Sequence, residues 1–269
     1  MSLYAPSNRI IKPQFEWNAK HIHGHPLSIG LVGHWLFNEG AGLKVHDISG
    51  FENHGILTSF VWTGETKWAP GKFGQALSFA GTGGGDYIIV AHSSSLNSAC
   101  GVGQPRSWGY WLKYAGGGNK LITDKTNNFT ARHLWSESQT TYIGGGVAEG
   151  GALRTGTLTV NKWYHIFFTY DGANSRVYTN AILADGPTAQ TAPSAETYNL
   201  ILMGLSVTYS SGGILDDLRI YNRALSAEEI MWLYHKPFDD LEIPIYRRRW
   251  DVAAGGALDI STKVTALCG

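Results

Sequence analysis

From residue 33 to residue 221 the chain is written in short apolar runs that alternate with period two and break at Gly, Asn or Asp. Residues 33–38 (GHWLFN), 107–114 (SWGYWLKY), 163–170 (WYHIFFTY) and 213–221 (GILDDLRIY) are the clearest of them. Side chains along a strand point alternately to opposite faces, so this period suits half-buried strands and defeats a helix. Many such runs, separated by turn residues, predict an all-β, two-sheet antiparallel sandwich of the jelly-roll kind. The 34 glycines and 12% aromatics fit many tight turns around strands with bulky side chains.

One short C-terminal helix is expected. Ser226 stands three residues before Glu229, the spacing of a reciprocal capping box, and Leu225 and Ile230 are placed as a hydrophobic staple. Ile230, Leu233 and Tyr234 then form one apolar face, and Pro237 ends the run. Outside this body the sequence changes character. Residues 1–28, punctuated by Pro6, Pro13 and Pro26, read as an extended N-terminal arm, residues 29–237 as the sandwich, and residues 238–269 as a C-terminal extension. If the ends are assembly arms, the core should fold without them. Unfolding on truncation would mean that they complete the sandwich.

Lys plus Arg and Asp plus Glu both number 21, which gives no electrostatic reason to expect nucleic acid as a partner. No apolar run approaches the ~20 residues of a membrane-spanning helix, so no membrane insertion is expected. The first 30 residues carry no signal-peptide pattern. Cys100 and Cys268 make neither a disulfide framework nor a metal motif. His21, His23 and His25 alternate, so an extended arm would aim them one way, as solvated side chains far more commonly than as a metal site. Arg247, Arg248 and Arg249 read as a solvated or subunit-contact run, and the Asn128 sequon is set aside without a secretion signal.

Residues 31–57 (LVGHWLFNEGAGLKVHDISGFENHGIL) carry an apolar-Trp strand, a Gly-rich turn, Asp-x-Ser-Gly and Asn-x-Gly. Residues 71–90 (GKFGQALSFAGTGGGDYIIV), 161–180 (NKWYHIFFTYDGANSRVYTN) and 212–237 follow in order. In that order they resemble the laminin-G-like, concanavalin-A-like lectin/glucanase jelly rolls. That family holds sugar binders, adhesion modules, virion proteins and some hydrolases, so the resemblance implies a fold before a function.

The resemblance also implies a structural calcium between the first turn region and the last strand. By motif its side-chain ligands would be Glu39, Asp47, Asn53 and Asp216. If residues 213–221 form a regular strand, Ile214, Asp216, Leu218 and Ile220 share a face, and a carboxylate there needs compensation. A hard cation would supply it. Hydrogen bonds capping a turn would serve equally, and which of Asp216 and Asp217 points inward is open.

Sugars present apolar C–H faces and hydroxyl rims, which suit aromatic platforms beside polar groups. Trp35, Trp111 and Trp163 lie within strands and are expected to pack. Trp62, Trp68, Trp135, Tyr142 and Tyr209 lie in or near loops and are the carbohydrate-binding candidates. Sandwich glucanases carry Glu-x-Asp-x-Glu on one strand, bringing two carboxylates within ~5 Å. This chain has no such run, so no catalytic residue is assigned and a glycoside hydrolase is the least favoured reading.

A recognition fold, two terminal arms and no signal pattern lead to one expectation. The chain reads as a non-catalytic structural or decoration protein of a phage virion. On the virion surface or outside the cell it would bind cell-surface or polysaccharide glycan or stabilise the particle. Its arms would join copies of itself in a homo-oligomer or reach other virion proteins. The alternative is a free bacterial carbohydrate-binding or adhesion protein.

Overall fold

A computed structural model describes residues 12, 19–58, 67–81, 85–116, 120–125, 134–147, 153–192, 197–204 and 211–242. Its strands in chain order begin with β1 (Lys20–His21), β2 (Leu31–Trp35), β3 (Lys44–Val45), β4 (Gly55–Thr58), β5 (Trp68–Pro70) and β6 (Gln75–Ala80). There follow β7 (Tyr87–Val90), β8 (Arg106–Tyr114), β9 (Lys120–Asp124), β10 (Trp135–Ser138), β11 (Ile143–Gly146) and β12 (Leu153–Arg154). The last are β13 (Trp163–Tyr170), β14 (Asn174–Thr179), β15 (Ile182–Ala189), β16 (Leu200–Leu202), β17 (Gly212–Tyr221) and β18 (Leu241–Glu242). Two α-helices, α1 (Ser94–Asn97) and α2 (Ala227–His235), and a 3-10 turn at Pro26–Ser28 complete the described elements.

All pairings are antiparallel. The first sheet runs β15-β14-β13-β8-β17-β6-β5, with β2 also on β17, and the second runs β12-β11-β10-β9-β16-β7-β4-β3. Between them lies the main core, in which Trp35, Trp108, Tyr110, Phe168 and Leu218 are fully or almost fully buried. Trp108 stacks on Phe168 at 5.1 Å, adding an aromatic contact to the burial. The predicted sandwich is therefore the observed one, as is the helix. Ser226 accepts from the Glu229 amide, and the Glu229 carboxylate accepts from the Ser226 amide. Leu225 and Ile230 pack in one cluster, as a staple requires.

Packed structure extends past both expected sandwich boundaries, 29 and 237. β1 pairs with β18, Lys20 opposite Glu242 and His21 opposite Leu241, so the two ends form a clasp. Ala19, Phe238 and Leu241 bury themselves against Phe73 and Trp111 on the outer face of the first sheet. Alongside, α2 and Leu27 cover the same face near Tyr221 and Phe167. The three alternating histidines do not point one way. His21 enters the clasp, His23 is exposed, and His25 accepts from the Leu27 amide and meets the Trp232 ring edge-on.

The expectation that Ile214, Asp216, Leu218 and Ile220 share a face is corrected. β17 carries an irregularity between Asp216 and Arg219, with Asp217 at φ +44°. An extra residue in a ladder reverses the alternation beyond it. Leu215, Leu218 and Ile220 point into the core, whereas Asp216 lies with Phe73 under the clasp. Asp217 is buried there as well, so both carboxylates point under cover and neither enters the inter-sheet core.

Candidate binding face

The covered face holds a polar network whose geometry is closed. His21 Nδ1 lies 2.9 Å from Asp240 Oδ2, His21 Nε2 lies 3.1 Å from His34 Nδ1, and His34 Nε2 lies 2.7 Å from Asp217 Oδ1. Arg219 binds Asp217 at 3.3 Å, Asp240 at 2.8 Å and the Pro237 carbonyl. Burial favours the neutral form of Asp240, but Arg219 and His21 outweigh it and hold the carboxyl well below its ordinary range. Burial alone would lower Arg219, yet Asp217 and Asp240 raise it above its usual value. Every partner here is internal, so this network holds the ends on the sheet and offers nothing to a ligand.

Of the residues proposed for calcium, Asp47, Asn53 and Asp216 are engaged internally, while Glu39 keeps one buried oxygen, Oε2, without a hydrogen-bond partner. Asp216 Oδ1 takes the Lys12 ammonium at 2.5 Å, and Oδ2 accepts from the Lys72 and Phe73 amides at 2.9 and 3.2 Å. Burial pushes the Asp216 carboxyl up, with Lys12 opposing that shift. Asp47 Oδ1 accepts from the His34 and Ser49 amides, and Oδ2 from the Ser49 hydroxyl and the Asn53 amide. The Asn53 side chain donates to the Val32 carbonyl and Ser95, and Glu39 accepts from the His46 amide. Among the described residues no three His, Cys, Asp or Glu side chains converge on a possible metal position. This donor set does not fit a calcium shell: the cation facing Asp216 is a lysine, and the oxygens of Asp47 are occupied by N–H and O–H donors.

The outer face of the second sheet is different. Ile56 stands beside Ile89, and Ile89 beside Ile201, across β4, β7 and β16. Leu121 and Ile201 are buried in one apolar cluster with the partly buried Tyr87 and Ile89, and Ile56 beside them on β4 is 51% exposed. Leu121 pairs with Glu137, Glu137 with Gly144 and Gly144 with Arg154, in one row across β9 to β12. Ser136 and Ser138 on either side of Glu137 are buried, and Ser136 meets Tyr110 from the core. Glu137 therefore turns outward and accepts from the Gln139 amide group at 2.7 Å. The Arg154 guanidinium lies 5.1 Å from the Tyr142 ring centre, a cation–π contact on the rim of the row. Gly144, between Glu137 and Arg154 in this row, has no side chain and is buried, and a Cβ built there would stand 3.6 Å from the Tyr142 ring. An apolar patch adjoining a carboxylate, an amide, a guanidinium and an aromatic ring can hold a ligand with alternating C–H and hydroxyl surfaces.

Tyr142 is the expected platform that this face includes. Trp68 is a correction, because β5 pairs it with Leu77 and carries it into the main core at 8% exposure. Trp62 and Tyr209 lie outside the described residues, as does the side chain of Trp135, whose backbone pairs with Gly146. Glu137, Gln139 and Arg154 carry no motif in the sequence, although buried Ser136, half-buried Glu137 and buried Ser138 alternate with period two. A separate cleft of about 360 Å³ at one end of the sandwich is lined by Val102, Gly103, Tyr170 and Gln190. Its Tyr170 hydroxyl donates to the Gly172 and Gln190 carbonyls and is occupied with the fold.

The profile of the concanavalin A-like lectin/glucanases superfamily matches residues 82–231, more than half of the chain. The chain belongs to that superfamily. No curated protein matches it in sequence. Among solved structures it is similar to domain 4 of AbnA, a GH43 extracellular arabinanase from Geobacillus stearothermophilus, in complex with arabinotriose. That match has TM-score 0.57 and 18% identity and covers 76% of this chain and 98% of the other. The binding domain of botulinum neurotoxin DC in complex with SialylT matches at 0.57 and 14%, over 77% of this chain and 52% of its own. Trypanosoma rangeli sialidase in complex with 2,3-difluorosialic acid matches at 0.57 and 18%, over 77% and 33%. Identities this low establish a shared fold, one that superfamily members use in binding domains and within glycoside hydrolases alike.

Proposed function

We propose that this chain is a non-catalytic glycan-recognition protein that binds carbohydrate on the outer face of the second sheet. The observation that carries the reading is the contrast between the sandwich's two outer faces. One is sealed by the chain's own ends, and the other presents Glu137, Gln139, Tyr142 and Arg154 beside an apolar patch. Oligosaccharide complexes of similarly folded domains support carbohydrate as the ligand class. The buried carboxylates Asp47, Asp216, Asp217 and Asp240 are engaged with internal donors, which supports binding without hydrolysis.

The test is a glycan panel containing arabino-oligosaccharides and sialylated sugars, screened with the full chain and with Glu137→Gln and Tyr142→Ala. Binding that both variants weaken about tenfold or more while their unfolding midpoints stay put is expected. Absence of binding across the panel, or binding indifferent to both changes, sinks this reading. Release of sugar from a bound polysaccharide would overturn the non-catalytic part. The setting we propose is a phage particle, with the chain as a surface component. Light scattering on the purified chain and its copurification with particles test that setting, and a monomer absent from particles would favour a free bacterial glycan binder.

A further inference from the structure

Lys12 and Asp216 stand 204 positions apart in sequence and meet at 2.5 Å between Nζ and Oδ1, with side-chain exposures of 1% and 0%. An isolated ion pair so deeply buried gives up the hydration of both charges, and its Coulomb attraction repays that only in part. The surroundings suit a different bond. Asp216 Oδ2 is held by two backbone amides, Lys72 N at 2.9 Å and Phe73 N at 3.2 Å. Two converging N–H donors on one carboxyl oxygen are the arrangement that stabilises a tetrahedral oxyanion during acyl transfer. Lys12 Nζ has a second partner, the Gln75 carbonyl at 2.5 Å. Gly71 lets the 71–74 turn close over the carboxyl, since a Cβ there would stand 2.5 Å from Oδ2.

We propose that Lys12 and Asp216 condense into an intramolecular isopeptide bond that ties the N-terminal segment covalently to β17. The ammonium first passes a proton to Oδ1. The nitrogen lone pair then forms the Nζ–Cγ bond, and negative charge develops on Oδ2 against the Lys72 and Phe73 amides. A second proton moves from Nζ to Oδ1, the Cγ–Oδ1 bond breaks, and Oδ1 leaves as water. No electrons are exchanged with any other species, and no co-reactant is needed. Each polar atom of the product already has its partner: the amide oxygen Oδ2 accepts from Lys72 and Phe73, and the remaining Nζ–H donates to Gln75. The reaction removes two buried charges and keeps every hydrogen bond except the one between the reacting groups. It also uses proximity that the fold has already established, with both side chains fixed and water excluded.

The experiment is intact-mass measurement on the denatured full-length chain beside a Lys12→Arg variant, followed by peptide mapping. The wild-type chain should be lighter than its sequence by one water, and the variant should have its full sequence mass. A digest of the wild type should contain a branched peptide joining the Lys12 segment to the Asp216 strand. Wild-type protein at its full mass, with the two peptides separate, overturns the cross-link and leaves an ion pair. A water loss that maps instead to a succinimide at Asp171-Gly172 or Asp185-Gly186 overturns it equally. The wild-type measurement decides the matter even if Lys12→Arg does not fold.

Discussion

The two outer faces of this sandwich are built on the same strand chemistry and end in opposite states. On the first sheet the outward positions of β2, β8 and β17 carry His34, Trp111, Asp216 and Arg219, and all are buried under the clasp and its neighbours. On the second sheet the outward positions carry Ile56, Glu137 and Arg154, which reach solvent wholly or in part. Alternation makes every strand amphipathic, but it does not say whether the second side meets water or another segment. Here the chain's own ends decide, and charged groups that would be harmless on an open face become a network in which every partner matters.

Paired substitutions break that comparison most severely. Arg219→Met leaves Asp217 and Asp240 buried without their shared cation, and should cost about 3–5 kcal/mol of unfolding free energy. Arg154→Met on the open face should stay within about 0.5 kcal/mol. Urea unfolding of both variants measures the difference, and equal losses would mean that the faces are not distinct. Trp111→Ala and Ile56→Ala make the same contrast with apolar groups. Trp111 packs between Phe73 and Tyr234 and should cost about 3–5 kcal/mol, while the half-exposed Ile56 should cost well under half of that.

Acid should act on the covered face next. Burial holds His34 below its ordinary value near 6.5, with Arg219, His21 and Lys12 adding to the shift and Asp240 opposing it. His165, packed against Trp111 and Tyr234, is held at about 3 by burial, with Asp217 opposing and Arg219 assisting. Both folded values lie below the unfolded one. Unfolding therefore takes up protons as the pH falls past about 6.5, and stability present above that point is lost on the acid side. Each ring contributes up to about 1.4 kcal/mol per pH unit until its folded value is reached. A urea midpoint that stays flat from pH 7 to pH 5 would contradict this account.

What could be read in the sequence was local. The Ser226–Glu229 box, the Leu225–Ile230 staple and the stop at Pro237 are close neighbours in sequence, and the helix stands where they put it. The sandwich was legible because period two recurs in strand after strand. The clasp was not, because two strands of two residues each, β1 and β18, carry no pattern and find one another across most of the chain. The face of Asp216 is reversed because a single irregularity changes the parity of β17, and although Asp tolerates a positive φ better than most residues, nothing in an alternating apolar run marks Asp217 for one. Tyr142 lies in the β10–β11 turn, as its loop position suggests, while Trp68 reads as a residue near a loop because its three-residue strand is too short to alternate. Glu137 was lost among serines, whose burial depends on Tyr110 reaching across the core.

On the open face the expected changes are smaller and concern binding. Tyr142→Ala and Arg154→Ala each remove half of the cation–π pair on the rim, and each should weaken glycan affinity roughly tenfold, about 1.4 kcal/mol. Titration calorimetry with a sugar found in the panel measures this, and an unchanged affinity in both would move the site elsewhere on the face.

The smallest expected effect is that of removing divalent cations. A chelator can destabilise a jelly roll only where a metal balances carboxylates that nothing else satisfies. In this chain Asp216 meets Lys12 and two amides, and Asp47 meets four donors from residues 34–53. The thermal midpoint should therefore agree in EDTA and in millimolar calcium. A calcium-dependent rise would mean that Asp216 is still a carboxylate and that a cation competes with Lys12 for it. In that case the clasp would be one of two states of the covered face, and the contrast between the faces would depend on the medium.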